Sequence, residues 1–462
     1  MPATLTDVLE QLGTDLPQRA AQLRQPSLSA AACVAGEVVW ADTVGDANPL
    51  AGEPRRPTPS TRYRIASITK PQVAVAVLAL VEAGEVDLGS AMRRYLPEAP
   101  AGRATVAQFL SHTSGLVAEI DGPWWERAGG CSWDELVAME LPVIAAPGLA
   151  HHYSNVGYAV LGRLLERVHD KPWHQVLAEV VWAPLGMSRT GTTSGDDHAT
   201  GVAVHPLRRL VLPEPVNPYL AMGPAGELWS TPTDLVRLGS FLAGAGEGLG
   251  VLRLDTLALL RHPAALATAP GEPWTSGYGL GVMLENTGGS LRVFHTGSVP
   301  GFTAHLCLDP GAQVAVALCG NSTSWHGGAF EWLSALAGTA GTGGRERAAA
   351  TAPASLPESV QALAGVWYRG PRQVLVKVHQ DELLIHPTDM PERLSRVRLA
   401  ADDRLVGTSE DLALGEELVV DPDQPDDPRW FSLARLHHAR QPYDPDAAIP
   451  GGVDEGGWRP WR

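Results

Sequence analysis

The sequence predicts an α+β protein: an antiparallel sheet flanked by helices, followed by a small C-terminal all-β barrel-like domain. Three patterns predict this class. Residues 73–81 contain no polar side chain, which is typical of a helix buried in the core of a large domain. From residue 277 to residue 319 the apolar pattern changes to period two. After residue 355 the apolar runs are short and separated by turns, as in a small barrel or sandwich.

Length and composition indicate two globular domains. The chain has 462 residues, of which 44% are hydrophobic and 19% are charged, and this suits two domains with sizeable cores. Residues 338–355 are rich in Ala, Gly and Thr without periodicity, which is typical of a linker. We therefore expect a first domain over residues 1–337 and an accessory domain over residues 356–462 that ends in a partly irregular tail.

Charge and cysteine usage argue against several classes of function. The net charge is −16 and no basic cluster appears, so we expect no nucleic-acid partner and no membrane partner. The four cysteines are scattered without a C-x-x-C pair, which argues against a disulfide scaffold or a structural zinc site. The sequence has no signal-peptide pattern and no apolar stretch of membrane-spanning length, so we expect a cytoplasmic protein. The oligomeric state stays open.

Local signals give the order of the elements. Leucines at helical spacing predict a first helix within residues 1–22. The first domain then continues with strands at 30–35, 37–40 and 62–65, helices at 105–110, 160–168, 231–242 and 329–336, irregular chain at 189–220, and strands at 278–284, 291–295, 302–308 and 314–319. The accessory domain has predicted strands at 366–368, 374–378, 382–386, 394–399, 417–420 and 430–436.

The first motif that indicates catalysis lies at the start of the buried helix. Pro71 is tolerated only near a helix start, so Ser67 and Lys70 lie in the first turn, three residues apart on one face. A serine becomes a nucleophile when a base takes its proton, and burial with the helix dipole pushes Lys70 towards the neutral form. The N–H of Ser67 would give half of an oxyanion hole. Taken alone, this short motif is explained more simply by a serine cap and an exposed lysine.

A second motif follows 83 residues after Lys70, at Tyr153 and Asn155. A phenol beside an ammonium can move protons, and an asparagine two residues on can hydrogen-bond a substrate amide. Taken alone, a tyrosine packed under a loop and an asparagine that caps the next helix explain these residues better.

A third motif comprises His295, Thr296 and Gly297, at the end of a predicted strand. Such a strand edge can dock a substrate backbone, and the glycine allows close approach. The N–H of Ser298 would supply the second oxyanion donor. An ordinary strand end with a turn glycine is the simpler explanation when this motif is taken alone.

The order and spacing of the three motifs resemble the serine β-lactamase-like family, which includes class C β-lactamases, penicillin-binding carboxypeptidases, D-aminopeptidases and related esterases. The resemblance covers residues 10–337, and supporting segments lie at 112–116, 147–148, 184–187 and 226–234. It implies a β-lactamase/transpeptidase-like fold with an all-helical subdomain beside the sheet. It also implies a serine hydrolase that works through an acyl-enzyme, without a cofactor or metal. The second domain resembles, more weakly, the barrels appended to D-aminopeptidase-like members.

One position departs from the pattern of the family. Many β-lactamases and penicillin-binding proteins carry lysine where His295 stands, and that lysine can anchor a substrate carboxylate. Histidine is only partly charged near neutrality. The resemblance therefore implies an esterase or a D-amino-acid peptidase or amidase, with a small ester, amide or short peptide as substrate.

The predicted mechanism assigns the nucleophile to Ser67, the base to Lys70 and a proton relay to Tyr153, while Asn155 and His295 orient the substrate. How Lys70 and Tyr153 divide the proton transfer stays open, because the two groups should titrate as a coupled unit.

Three alternatives stay open. The first is a β-lactamase or a penicillin-binding D,D-carboxypeptidase, and the second is a non-catalytic ligand-binding protein on the same scaffold. The third is a metallohydrolase using His151, His152 and His295, although no recognised metal-ligand spacing appears.

Overall fold

The computed structural model describes residues 4–246, 250–267, 273–287, 290–323, 329–338, 356–391, 393–409, 412–424, 428–443, 449 and 451–461. Within these ranges the α-helices, α1 to α12 in chain order, are Leu5–Gln22, Thr69–Glu82, Val106–Leu110, Trp125–Ala128, Trp133–Ala138, Asn155–His169, Trp173–Leu177, Gly223–Gly226, Pro232–Ala243, Leu254–Leu260, Ala329–Ala337 and Glu358–Gln361. Strands β1 to β12 are Ser27–Val34, Glu37–Gly45, Tyr63–Arg64, Val202–Val204, Leu210–Pro213, Trp229–Ser230, Ala265–Ala267, Ser276–Tyr278, Met283–Asn286, Leu291–Val299, Phe302–Asp309 and Val314–Gly320. Strands β13 to β21 are Gly365–Arg369, Arg372–His379, Glu382–Pro387, Ser395–Leu399, Leu405–Gly407, Glu417–Val420, Trp430–Leu433, Leu436–Ala439 and Arg459–Pro460.

The first domain is built on an eight-stranded antiparallel sheet, in the order β2-β1-β12-β11-β10-β9-β8-β7. Its central strands are covered on both faces. Ala30 and Ala32 belong to the core formed with α1 and α11, whereas Ala31 belongs to the core on the α9 side. This alternation follows from the period-two geometry of a strand. The predicted antiparallel sheet flanked by helices is confirmed.

A helical layer beside the sheet is organised around α2, which packs against α6, α7 and α8. Every residue of α2 from Thr69 to Leu78 is buried, as its apolar sequence predicts. Gly84, two residues after the helix, has a φ of +76° and marks the end of the helix as expected. One detail differs: Ser67 lies in a separate 3₁₀ turn, Ala66–Ile68, immediately before α2.

The eight strands β13 to β20 close into a barrel in sequential order, and Tyr368 pairs with Ala439 across the closing seam. The predicted all-β barrel is confirmed, with two differences. Strand β17, Leu405–Gly407, is not anticipated by the sequence pattern. The strand predicted at 430–436 is a hairpin of β19 and β20, because Ala434 and Arg435 adopt φ values of +50° and +62° and turn the chain.

Two further strand predictions in this sheet are also corrected. The strand predicted at 278–284 is divided into β8 and β9. At the break Gly281 has a φ of +92° and packs so tightly on α2 that a Cβ there would lie 2.3 Å from the Cβ of Ala74. The strand predicted at 291–295 continues to Val299, so residues 296–298 lie within β10 and not after it.

The irregular region predicted at 189–220 contains β4 and β5, and the tail of the chain adds to them. Arg459 and Pro460 pair with Val211 and Leu210, so this part of the tail is ordered against the first domain. Of the predicted linker, residues 339–355 lie outside the described part of the chain. No helix within the described ranges combines the length and the apolarity needed to cross a bilayer.

A buried ion pair joins α4 to the segment after β5. Arg127 Nε donates to Glu214 Oε2 at 2.9 Å, and both side chains are 1% exposed. The C-terminal tail closes over the pair: Arg127 also donates to the carbonyl of Gly452, and the hydroxyl of Tyr443 donates to Glu214.

We expect Arg127→Met to lower the free energy of unfolding by about 3–5 kcal/mol, because it leaves the carboxylate of Glu214 buried without its cation. Urea unfolding followed by tryptophan fluorescence measures the change. The matched control is Arg404→Met, whose partner Asp402 is equally exposed at 56%, and it should leave the free energy of unfolding nearly unchanged. Equal losses in the two variants would contradict the assignment.

Candidate active site

Ser67 lies where the sheet meets the helical layer, on a strained turn. Ala66 precedes it with a φ of +47°, a region that non-glycine residues rarely adopt. Ser67 is half-buried, whereas its neighbours Ala66 and Ile68 are fully buried. Strand β10 lies directly against the turn: a Cβ at Gly297 would lie 2.1 Å from the carbonyl oxygen of Ile65. The third motif therefore packs its backbone against the turn that carries Ser67, and only glycine permits so close a contact.

Lys70 is fully buried, and its amine has three neighbours. Nζ lies 2.7 Å from Asn155 Oδ1, 2.7 Å from the carbonyl oxygen of Ala225 and 3.0 Å from Ser67 Oγ. The first two oxygens can only accept hydrogen bonds. A neutral amine has two N–H groups and one lone pair, so its two protons go to Asn155 and Ala225. The lone pair is then left to accept the hydroxyl proton of Ser67.

Electrostatics favour this neutral form. Burial lowers the pKa of the Lys70 ammonium to about 7, and the negative charges of Glu119 and Glu126 partly offset that effect. Burial also raises the pKa of Glu119 to about 8. The two groups therefore change protonation over the same pH range and titrate as a coupled pair.

Glu119 also orients Asn155. Asn155 Nδ2 donates to Glu119 Oε1 at 2.6 Å, and Trp125 Nε1 donates to Glu119 Oε2 at 2.6 Å. Because the amide nitrogen is held by this carboxylate, the amide oxygen faces Lys70. Asn155 does not cap α6, since the hydroxyl of Ser154 accepts the N–H of Gly157 and fills that role.

Tyr153 lies on the other side of the amine. Its ring centroid is 4.9 Å from Lys70 Nζ and 4.1 Å from the ring of His112, on which it is stacked. The side chain is 8% exposed, so the phenol lies at the inner wall of the site. The structure thus brings Tyr153, Asn155 and Lys70 of the first two motifs together beside Ser67.

A directed chain of hydrogen bonds connects the second and third motifs. The N–H of Ser154 donates to His112 Nδ1 at 3.0 Å, so His112 carries its proton on Nε2, which lies 3.2 Å from the hydroxyl of Tyr278. At the other end His295 Nδ1 donates to the carbonyl of Thr296 at 2.8 Å, so His295 Nε2 accepts from the hydroxyl of Tyr278 at 3.1 Å. Backbone groups at both ends fix both imidazole tautomers.

His295 is therefore a neutral residue in this arrangement. It is 1% exposed, and burial, followed by the charge of Lys70, lowers its pKa to about 3. The sequence predicts a substrate-orienting role for His295, but both of its ring nitrogens already have protein partners. His295 instead helps to hold β10 in position, and the next residues of this strand, Thr296, Gly297 and Ser298, pass beside Ser67.

The barrel contributes to the wall of the site through Glu416. Its Oε1 accepts the N–H of Ala118 at 3.0 Å and lies 3.3 Å from His152 Nε2, while Arg435 donates to its Oε2 at 3.2 Å. The carbonyl of Ala118 in turn accepts the N–H of Asn155 at 2.8 Å. The barrel thus bonds to the peptide unit next to Glu119.

Three residues of this network carry no signal in the sequence: Glu119, Tyr278 and Glu416. Each acts through a partner at least 17 residues away in the chain. Among the described residues, no group of three or more His, Cys, Asp and Glu side chains is placed to hold a metal ion. Of the histidines in the metallohydrolase alternative, His152 bonds to Glu416 and His295 bonds to Tyr278.

Comparison with known proteins gives two family matches. Residues 12–340 match the model of the Beta-lactamase family. Residues 356–440 match a domain of unknown function, DUF7586.

Individual proteins show the same likeness. Penicillin-binding protein 4 from Amycolatopsis lactamdurans is 28% identical over 305 residues, which are 61% of this chain and 78% of that protein. Esterase EstB from Burkholderia gladioli is 34% identical over 201 residues, which are 39% of this chain and 50% of the esterase. A solved structure of D-amino acid amidase from Ochrobactrum anthropi SV3, complexed with L-phenylalanine amide, has a TM-score of 0.58 and 26% identity. That likeness covers 71% of this chain and 95% of the amidase.

We expect the reaction of Ser67 with a fluorophosphonate to fall about tenfold between pH 8 and pH 6, because Lys70 with a pKa of about 7 becomes protonated and cannot accept the serine proton. Glu119→Gln removes the negative charge that Glu119 gains as it titrates near pH 8 and that raises the pKa of Lys70, so the midpoint should move to lower pH. Labelling rates across the pH range measure both effects. Glu98→Gln, at an exposed position, is the control and should leave the midpoint in place. A Glu119→Gln profile identical to that of the control would contradict the coupling.

Proposed function

The chain belongs to the beta-lactamase family of serine hydrolases, and we propose that it hydrolyses an ester or an amide through an acyl-enzyme on Ser67. One observation carries the proposal. The buried amine of Lys70 lies 3.0 Å from Ser67 Oγ, and its other two neighbours leave only its lone pair for the serine proton.

In the proposed reaction, Ser67 Oγ bonds to the substrate carbonyl carbon while its proton moves to Lys70. The carbonyl oxygen becomes an oxyanion between the N–H groups of Ser67 and Ser298. Collapse of this intermediate breaks the bond to the leaving group, which takes a proton from Tyr153 or Lys70. Water then adds to the acyl carbon, the acid departs, and the hydroxyl of Ser67 is restored.

The neutral state of His295 favours esters and amides over penicillin-like substrates. A β-lactam carries a carboxylate next to its reacting ring, and a buried neutral imidazole with both nitrogens engaged gives that carboxylate no cation. The likenesses to EstB, named as an esterase, and to D-amino acid amidase support the same substrate classes.

A second candidate activity is that of a β-lactamase or a D,D-carboxypeptidase. The likeness to Penicillin-binding protein 4 favours it. A panel of short 4-nitrophenyl esters, D-aminoacyl amides, D-Ala-D-Ala peptides and nitrocefin separates the candidates, and we expect turnover of esters or D-aminoacyl amides.

We expect Ser67→Ala to lose at least about three decades of kcat/KM on the best substrate of this panel, because no other group supplies the nucleophile. Tyr153→Phe should lose about two to four decades, the usual contribution of a positioned proton donor or acceptor. Ser60→Ala, at an exposed serine, is the control for substitution and should keep full activity.

Fluorophosphonate labelling completes the test. Wild-type protein should be tagged at Ser67, and Ser67→Ala should not be tagged. Turnover by Ser67→Ala at the wild-type rate would refute the mechanism, and the absence of both labelling and turnover in the wild type would favour a non-catalytic binding protein.

A further inference from the structure

The barrel encloses a cavity of about 300 Å³ that no step of the proposed reaction uses. Its lining includes the guanidinium groups of Arg369, Arg372 and Arg393 and the apolar side chains of Val374, Ile385 and Leu436. None of the lining residues within the described ranges is acidic. The volume is at the lower end of the range for small-molecule sites.

The arrangement of the three arginines suits a negatively charged ligand. Arg372 Nε donates to Asp389 Oδ1 at 3.1 Å, which holds one guanidinium in place. Arg369 is half-buried and Arg393 is exposed. Asp389 offsets the charge of Arg372, and the lining adds two further guanidinium groups whose positive charge attracts an anion.

Two rim segments connect the cavity to the chain segment that holds Glu119. One begins at Leu412 and Ala413 and leads to Glu416, which bonds to the N–H of Ala118. The other comprises Leu433 and Ala434, next to Arg435, whose Nε donates to Asp121 Oδ1 at 2.7 Å. Both contacts fall on residues 118–121, the segment that holds Glu119.

Electrostatic effects agree with this proximity. The charge of Arg393 contributes to the lowered pKa of His295, after burial and Lys70. Burial lowers the pKa of Arg369, and the carboxylate of Glu126, near Lys70, partly offsets that effect. The positive cluster and the catalytic groups therefore lie within one electrostatic neighbourhood.

We propose that this arginine-lined cavity is an anion subsite of the same active site, and that it takes a carboxylate at the far end of an ester or amide substrate. Guanidinium groups match carboxylates with paired N–H donors. The apolar walls at Val374, Ile385 and Leu436 suit an aliphatic spacer between the carboxylate and the reacting carbonyl. The inference rests on the proposed function, and it names the substrate class: acyl groups with a terminal acid.

Two esters that differ only at one end test the subsite: 4-nitrophenyl pentanoate and 4-nitrophenyl hydrogen glutarate, in which a carboxylate replaces the terminal methyl group. We expect kcat/KM to favour the glutarate, and Arg393→Gln to reduce that preference about tenfold or more, as expected for loss of a charged hydrogen bond. Arg404→Gln, an arginine of the barrel outside the cavity lining, is the matched control and should keep the preference. Equal kcat/KM values for the two esters in the wild type would overturn the subsite.

A binding measurement separates this inference from the proposed function. Full-length Ser67→Ala should bind the glutarate ester about tenfold more tightly than the pentanoate ester, and the additional Arg393→Gln substitution should remove the difference. This outcome decides the subsite even if wild-type protein turns over neither ester, which would refute only the proposed hydrolysis. Free glutarate and inorganic phosphate serve as competitors: stronger competition by glutarate supports a carboxylate subsite, and stronger competition by phosphate overturns it.

Discussion

The state of one buried amine determines how the rest of this structure can work. Lys70 is fully buried, and an isolated ammonium in such surroundings would cost many kcal/mol, so the group responds by losing its proton. The apolar sequence of α2 is the means of this desolvation, because it lets the helix lie in the core on all sides. The two fixed acceptors, Asn155 and Ala225, then determine where the lone pair points. Burial therefore makes Lys70 a neutral base, and its two hydrogen bonds orient the lone pair.

Close backbone packing keeps the elements in register around that amine. Gly297 lies against the carbonyl of Ile65, Gly226 lies against the backbone of Ala66 and Ser67, and Gly281 lies against α2. At Gly297 and Gly281 a side chain would separate the layers by an ångström or more, whereas a Cβ at Gly226 would meet the backbone of Ala66 at an ordinary contact distance of 3.4 Å. The glycines therefore contribute to the site because they have no side chain. The strand therefore packs directly against the turn that carries Ser67, as the proposed oxyanion hole of the Ser67 and Ser298 N–H groups requires.

Local patterns in the sequence predict the helices and strands, because these depend on neighbouring residues. They do not predict features that depend on residues far apart in the chain. The apolar run of α2, the antiparallel sheet and the barrel follow from periodicity, and the resemblance of the motifs to those of the serine β-lactamase-like family selects Ser67, Lys70 and Tyr153. Glu119 was not predicted, because its partner Asn155 lies 36 residues later. The hairpin at Ala434 and Arg435 was missed because both residues adopt left-handed backbone without being glycine, and a turn pattern gives no sign of that. The neutrality of His295 depends on Tyr278 and on burial, which only the folded chain provides.

The contact between the barrel and the first domain falls beside the candidate active site. Ala118 uses its N–H to bond Glu416 of the barrel and its carbonyl to bond the N–H of Asn155, although Glu416 lies 298 residues away in the chain. Glu119 is the next residue, and its carboxylate sets the orientation of the Asn155 amide. A displacement of the barrel is therefore transmitted to the Lys70 amine through only two residues, Ala118 and Asn155. It would also admit water to a site whose base is neutral only because water is kept out. Under the proposed mechanism the accessory domain is therefore part of the catalytic environment, and under the proposed subsite it also recognises a distant end of the substrate.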